Sequence, residues 1–320
     1  MSLDGGILRS EPDPRWSSTS PSPVAPELRE FDRRIGGLVI NRLTYRLVRA
    51  LGRLMRPPLE TGTVRFASPP LPGKGAFIVE PAKSRGNGAL FLIHGGGYVI
   101  GHPLDILPKA IFFADRLGIA VVCPGYRLAP QAPFPAALDD CHAAWHAVLS
   151  HADRLGIDPA RIVIGGYSAG AGLAACLTQR LRDEGARLPA AQLLIYPMAD
   201  DRTATRRELD TPRHRVWSNR NNLFGWTSYL GQPPGDPAGP YAVAARCEDL
   251  SGLPPAWLGI GTSDLFLDES RNYAARLAAS GVETTYVEVD GAIHAFDMTE
   301  TAIAKAFVSS QVEFLRRYAG

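Results

Sequence analysis

The run IVIGGYSAGAGLAA places Ser168 between Gly166 and Gly170, after an apolar stretch and ahead of a small-residue stretch of helical character. In a G-x-S-x-G pattern the serine sits on a sharp strand-to-helix turn, and small residues two positions to either side let the backbones pass closely. The pattern is common by itself. The strand before it and the helix after it make Ser168 the candidate nucleophile. A hydroxyl is a weak nucleophile until a base takes its proton, so a histidine oriented by a carboxylate must come from elsewhere in the chain.

Seven histidines could serve: His94, His102, His142, His146, His151, His214 and His294. Where a nucleophile occupies such a turn, the partners follow in the order serine, acid, histidine, each in a loop after a late strand. Only His214 and His294 follow Ser168. His214 falls in an arginine-rich stretch, where a solvated side chain is expected, whereas His294 comes just after the β-rich run ETTYVEV, in DGAIHAF. For the acid, Asp264 directly follows AWLGIG. Asp268 and Glu269 read instead as the first turn of the next helix, where carboxylates favour the N-terminus.

A third element is the run from Leu92 to Tyr98, LIHGGGY. Acyl transfer builds negative charge on a carbonyl oxygen, and each preorganised N–H aimed at it is worth roughly 10²–10³ in rate. Glycines after a strand let the backbone turn such groups inward, joined by the N–H of Ala169 after the nucleophile. A phosphate-binding reading fails: Ile100 breaks G-x-G-x-x-G, and no GK[ST] follows.

The elements that must position these residues are legible as an alternation. Short β-rich runs occur at Thr63–Ala67, Ala76–Val79, Ala89–Ile93, Ile119–Cys123, Arg161–Ile164, Gln192–Tyr196, Ala256–Ile260 and Thr284–Val289. From the third onward they alternate with helix-like stretches at Leu104–Leu117, Ala136–Leu155, Gly170–Glu184, Glu269–Ala279 and Thr299–Tyr318. Runs such as ALFLI and QLLIY are apolar at nearly every position, as strands covered on both faces of a parallel sheet must be. The fold class is therefore α/β, with a mostly parallel central sheet of about eight strands flanked by helices.

Two segments break the alternation. Between Glu27 and Met55 apolar residues recur at spacings near three and four, which predicts one or two amphipathic helices with Gly36-Gly37 as the weak point. Their apolar face is expected to pack on the rest of the protein, with the arginines solvated. Between Pro197 and Pro255 an insertion of about 58 residues holds one good helical segment, RNNLFGWTSYLG, and an insertion of that length between strands suits a lid. Residues 10–26, rich in Ser, Thr and Pro, read as an extended lead-in.

Composition narrows the function. With 45% hydrophobic and 21% charged residues, the 320-residue chain is of ordinary globular type. Its 34 basic residues, only four of them lysines, against 32 acidic ones leave a net charge of +2, far from what neutralising a nucleic-acid backbone requires. Cys123, Cys141, Cys176 and Cys247 show neither metal-ligand spacing nor disulfide density. The N-terminus lacks a secretion-signal run, no stretch approaches a membrane span, and a cytoplasmic location is expected.

HGGGYVIG, YRLAPQAPFPAALDD, DPARIVIGGYSAG, LIYP, LSGLPPAWLGIGTSDLFLDE and GAIHAF together resemble the bacterial hormone-sensitive-lipase-like (family IV) esterases, an α/β-hydrolase group. The match covers roughly residues 75–320. It implies a triad of Ser168, Asp264 and His294, oxyanion donors at Gly96, Gly97 and Ala169, no cofactor and no metal, and small, short-acyl carboxylic esters as substrates. It also implies a helical cap. The expected division is a cap segment over 1–60, a hydrolase core over 61–197 and 250–320, and a cap insertion over 198–249. Tyr98, Tyr167 and Phe224 are the expected pocket side chains. Three positions depart from the family pattern: Tyr167 before the serine, Ala171 for a second glycine, and Gln131 where the family has Glu. The expected partner is a small-molecule ester, a homodimer being admitted. Acetyl-hydrolase or amidase action on one metabolite is the alternative, and a non-catalytic binding protein on the same scaffold a further one.

Overall fold

The computed structural model describes residues 23–35, 37, 39–54, 64–66 through their backbone, 75–211 and 213–320. The expected lead-in falls outside these residues up to position 22, as does the expected boundary at 60/61.

Among the described residues eight strands form one sheet: β1 (Val64–Phe66), β2 (Ala76–Val79), β3 (Ala89–Ile93), β4 (Ala120–Pro124), β5 (Ile162–Tyr167), β6 (Ala191–Ile195), β7 (Ala256–Gly261) and β8 (Thr284–Val289). Their spatial order is β1-β2-β4-β3-β5-β6-β7-β8. The first two pairings are antiparallel and all the others are parallel. Every residue of β3, β5, β6 and β7 is buried, which is why these strands read as unbroken apolar runs. At the edge, β8 is half-buried throughout and alternates in composition.

The helices are α1 (Arg29–Ile35), α2 (Tyr45–Leu54), α3 (Leu107–Leu117), α4 (Ala136–Ser150), α5 (Ala152–Leu155), α6 (Ala169–Asp183), α7 (Asn219–Leu230), α8 (Leu267–Ala279) and α9 (Ala302–Tyr318). The single helix expected over Ala136–Leu155 is divided at His151, whose φ of −114° departs from helical geometry. Its backbone N–H and its Nδ1 both lie within hydrogen-bond reach of the Ala147 carbonyl. Large aromatics join helices to the sheet: Phe91 of β3 meets Trp145 of α4 edge-on at 5.6 Å, and Trp257 of β7 meets Phe307 of α9 at 5.2 Å. Burial of each such ring stabilises the fold by roughly 1.5–3 kcal/mol.

The insertion after β6 is held at its base by buried carboxylates. Glu269 of α8 accepts hydrogen bonds from the N–H groups of Ala199 (2.7 Å) and Asp200 (3.2 Å) and from the Thr203 hydroxyl. Its burial pushes the carboxyl well above the ordinary range. Asp201, fully buried, takes a two-point ion pair from Arg246 at 2.8 and 2.7 Å. The helical segment expected in the insertion is α7, capped by Ser218, whose side chain accepts from Asn221 N–H at 3.2 Å.

One expectation is reversed at α2. The leucine row Leu43, Leu47, Leu51 and Leu54 faces outward, with exposures of 89, 61, 50 and 82% among the described residues. A polar anchor fixes the helix instead. Arg49 donates from Nε to Val99 O (2.7 Å), from Nη2 to Ala129 O (2.6 Å) and from Nη1 to Gln131 Oε1 (2.7 Å). Gln131 donates in turn to the Tyr45 hydroxyl at 2.5 Å. Three charge-assisted bonds at about 1.5–3 kcal/mol each tie the Arg49 side of α2 to the loops after β3 and β4. Among the described residues no helix is long and apolar enough to cross a membrane.

Candidate active site

The loops that carry the candidate residues leave the C-terminal ends of neighbouring parallel strands, where open α/β sheets form their crevices. Ser168 follows β5 with φ +55° and ψ −118°, a conformation rare for any residue with a side chain. Its N–H donates to Ile195 O of β6 at 2.9 Å. The flanking glycines are needed for space: a Cβ on Gly166 would lie 2.3 Å from Gly170 C, and one on Gly170 would lie 2.2 Å from Ile93 O. The strain is thereby held between β3, β5, β6 and the first turn of α6.

Asp264 follows β7 and His294 follows β8. Their loops are stitched together by Ser263 N–H to Ala292 O (2.9 Å), Thr262 N–H to Val289 O (3.0 Å) and Gly291 N–H to the Thr262 hydroxyl (2.8 Å). His294 Nδ1 lies 2.7 Å from Asp264 Oδ2, and His294 Nε2 lies 3.1 Å from Ser168 Oγ. The other carboxylate oxygen of Asp264 accepts from Phe266 N–H at 3.0 Å, so both oxygens are engaged. Asp268 and Glu269 lie in the first turn of α8, as expected.

The glycine run after β3 arches over the serine. Gly96 and Gly97 have φ of +113° and +57°, and a Cβ on Gly97 would come within 2.1 Å of the Trp217 ring. Among the described residues the N–H groups of Gly96, Gly97 and Ala169 have no backbone acceptor. His94 braces the arch from beneath, its ring stacked on Tyr126 at 4.2 Å while the Tyr126 hydroxyl donates to His94 O at 3.0 Å.

These groups open into a cavity of about 1480 Å³, whose lining includes Ser168, His294, Gly96, Gly97 and Tyr167. Ile35, Val48 and Arg49 contribute from the N-terminal segment, Val216 and Trp217 from the insertion. Of the three expected pocket side chains, only Tyr167 lines it. Tyr98, at φ +65°, turns beneath the arch, stacks on Tyr229 at 4.0 Å and donates to Met198 O at 3.2 Å. Phe224 lies against Tyr45, 5.9 Å between ring centres. Trp217 of the insertion lines the cavity and sets its ring against Gly97.

Three further side chains lie beside the site: Tyr196 and Lys109 carry no sequence signal for it, and His214 is one of the two histidines that follow Ser168. Tyr196, at φ +36°, sets its ring 4.7 Å from that of His294 and donates to Asp297 Oδ1 at 2.8 Å. Burial beside Asp297 raises its phenol well above the ordinary range. Lys109 donates to the Asp297 carbonyl at 2.5 Å and lies 3.3 Å from Oδ2. His214, expected in solvent, is 6% exposed. It shares a small void with Ser263, Asp264 and His294, because residues 213–217 run across the back of the Asp264 loop. Burial lowers its pKa, and the Asp264 charge opposes that shift.

The arginines of the insertion are also less free than their count suggests. Arg202 pairs with Asp200, Arg206 with Glu208 and Asp268, Arg207 with Asp210, and Arg215 with Asp32.

A buried serine, histidine and carboxylate in this order, beside unengaged backbone N–H groups, can take a proton from the serine and hold an oxyanion. The chain belongs to the alpha/beta hydrolase fold family, whose model matches residues 90–298. Within it, the protein is a member of the hormone-sensitive-lipase-like esterases. It is 34% identical over 265 residues to an acetyl-hydrolase of Streptomyces hygroscopicus, covering 80% of this chain and 81% of that one. To an ethyl acetate hydrolase of Pseudomonas putida it is 32% identical over 222 residues, 68% of this chain and 69% of the other. The solved structure of a bacterial heroin esterase superposes with a TM-score of 0.84 at 32% identity, covering 93% of this chain and 98% of that one.

Proposed function

We propose that the chain hydrolyses carboxylic esters with short acyl groups through an acyl-enzyme on Ser168. The observation that carries this reading is the continuous line from Asp264 Oδ2 to His294 Nδ1 (2.7 Å) and from His294 Nε2 to Ser168 Oγ (3.1 Å), ending in the cavity. His294 takes the serine proton as Oγ attacks the ester carbonyl. Asp264 holds the imidazole tautomer and stabilises the imidazolium. Charge on the carbonyl oxygen is met by the N–H groups of Gly96, Gly97 and Ala169. His294 returns its proton to the departing alcohol, and water, activated by the same imidazole, frees the acid. Every step uses protein groups and water.

Arg49 and Val48 on one side and Trp217 on the other support a cap assembled from the N-terminal segment and the insertion. The cavity exceeds the roughly 300–1000 Å³ of common small-molecule sites. A cavity of this size leaves room for a bulky alcohol moiety beside the acyl group at Ser168. Two relatives named for acetyl and ethyl acetate hydrolysis support the short acyl group. Location in the cytoplasm belongs to the same reading and rests on four cysteines left as thiols.

A series of p-nitrophenyl esters of rising acyl length, with p-nitroacetanilide as the amide, tests the proposal. The expected result is kcat/KM highest at acyl chains of about two to six carbons and negligible for the amide. A maximum at long chains, or faster cleavage of the amide, would overturn it.

A further inference from the structure

Far from the cavity, α4 and α6 bring three metal-ligating side chains together. His142 and His146 stand one turn apart on α4, on the same face, and Glu184 caps the C-terminal end of α6. His142 Nε2 lies 2.7 Å from Glu184 Oε2 and 3.2 Å from His146 Nε2. The three ligand atoms lie within 4.8 Å of one another. A single hydrogen on His142 Nε2 cannot serve both neighbours, so the cluster converges more lone pairs than it has protons to share.

We propose that His142, His146 and Glu184 form a site for a zinc-class divalent cation that staples α4 to the end of α6. Imidazole nitrogen with one carboxylate oxygen selects borderline transition metals over calcium and magnesium, which prefer all-oxygen shells. With metal–ligand bonds near 2.0–2.1 Å, tetrahedral geometry sets ligand atoms about 3.3 Å apart. The two histidine nitrogens already stand at 3.2 Å, Glu184 Oε2 matches that spacing to His142 by withdrawing about half an ångström from 2.7 Å, and all three ligand atoms lie within 4.8 Å of one another. Arg180 holds the other oxygen, Glu184 Oε1, at 2.8 Å and is itself paired with Asp139 at 2.7 Å. That arrangement fixes the carboxylate, leaves Oε2 for the ion and offsets the arginine charge. His146 and Glu184 are exposed, so water can complete the shell.

The site is structural. Ser168 immediately precedes α6 and Glu184 caps its far end; 15 helical residues at about 1.5 Å each separate them by roughly 22 Å.

Zinc titration of the tag-free, full-length protein by calorimetry, with thermal unfolding alongside, tests the proposal. The expected result is one ion per chain, and a melting temperature raised by roughly 5 °C when zinc exceeds Kd a hundredfold. His142→Ala and His146→Ala should each weaken binding at least tenfold and abolish the shift, while His151→Ala leaves both intact. Copper(II) bound in place of zinc should give an electron paramagnetic resonance signal with two-nitrogen coupling that is lost in the His142→Ala, His146→Ala double variant. Undiminished binding by that double variant, or no binding to the parent protein at millimolar zinc, would overturn it.

Discussion

His294 Nε2 stands 3.1 Å from Ser168 Oγ, although 126 residues of chain separate the two. The contact exists because β5 and β8 run parallel in one sheet, so their C-terminal loops meet at the same edge. Its partner contact, to Asp264, determines which ring nitrogen faces the serine.

Replacing Asp264 by Asn should therefore leave the fold intact and KM little changed while kcat falls by roughly 10³–10⁴, because the amide no longer enforces the productive tautomer. Steady-state kinetics with p-nitrophenyl acetate measures this. A loss below tenfold would remove Asp264 from the proposed triad.

The arch over the serine makes a separate prediction. Gly97→Ala places a methyl against Trp217 at a positive φ, so the loop must shift and its N–H leave position. The expected cost is roughly 10²–10³ in kcat. Adding Trp217→Ala removes the clash and should restore part of the rate. Full activity in the single variant would show that the Gly97 N–H is not used.

His214 predicts a pH dependence of stability. Its folded pKa lies below the unfolded value of about 6.5 because it is buried. Below that value the unfolded chain binds the extra proton, so stability falls as pH drops from about 6.5 through the folded pKa. Denaturant unfolding between pH 7.5 and 5 should show a steeper loss in the parent protein than in His214→Gln. Parallel curves would contradict the burial of a neutral imidazole there.

How much of this was legible in the sequence depended on what each residue has to satisfy. β3, β5, β6 and β7 announced themselves because strands buried on both faces tolerate little but apolar side chains. Ser168, Asp264 and His294 were legible because each must occupy a loop directly after a strand, and few residues of the right type do. His214 was not, since its burial depends on the path of residues 213–217 across another loop. The orientation of α2 was not either: periodic leucines show that a face exists, while the three bonds of Arg49 decide which face turns inward. Tyr98 was misplaced for a backbone reason, its positive φ sending the ring under the arch rather than into the cavity. Of the His142, His146 and Glu184 cluster, the two histidines stand one turn apart on α4, but the glutamate comes from a different helix, and only the fold brings it to them.

Ser168, as the nucleophile, is the residue that active-site labelling must find. Incubation with a fluorophosphonate probe, followed by intact mass measurement and peptide mapping, should give one adduct per chain, on Ser168. Ser168→Ala should keep the parent circular dichroism spectrum, take no label and hydrolyse p-nitrophenyl acetate roughly 10⁴–10⁶-fold more slowly. An adduct on another residue, or full activity in Ser168→Ala, would contradict the account.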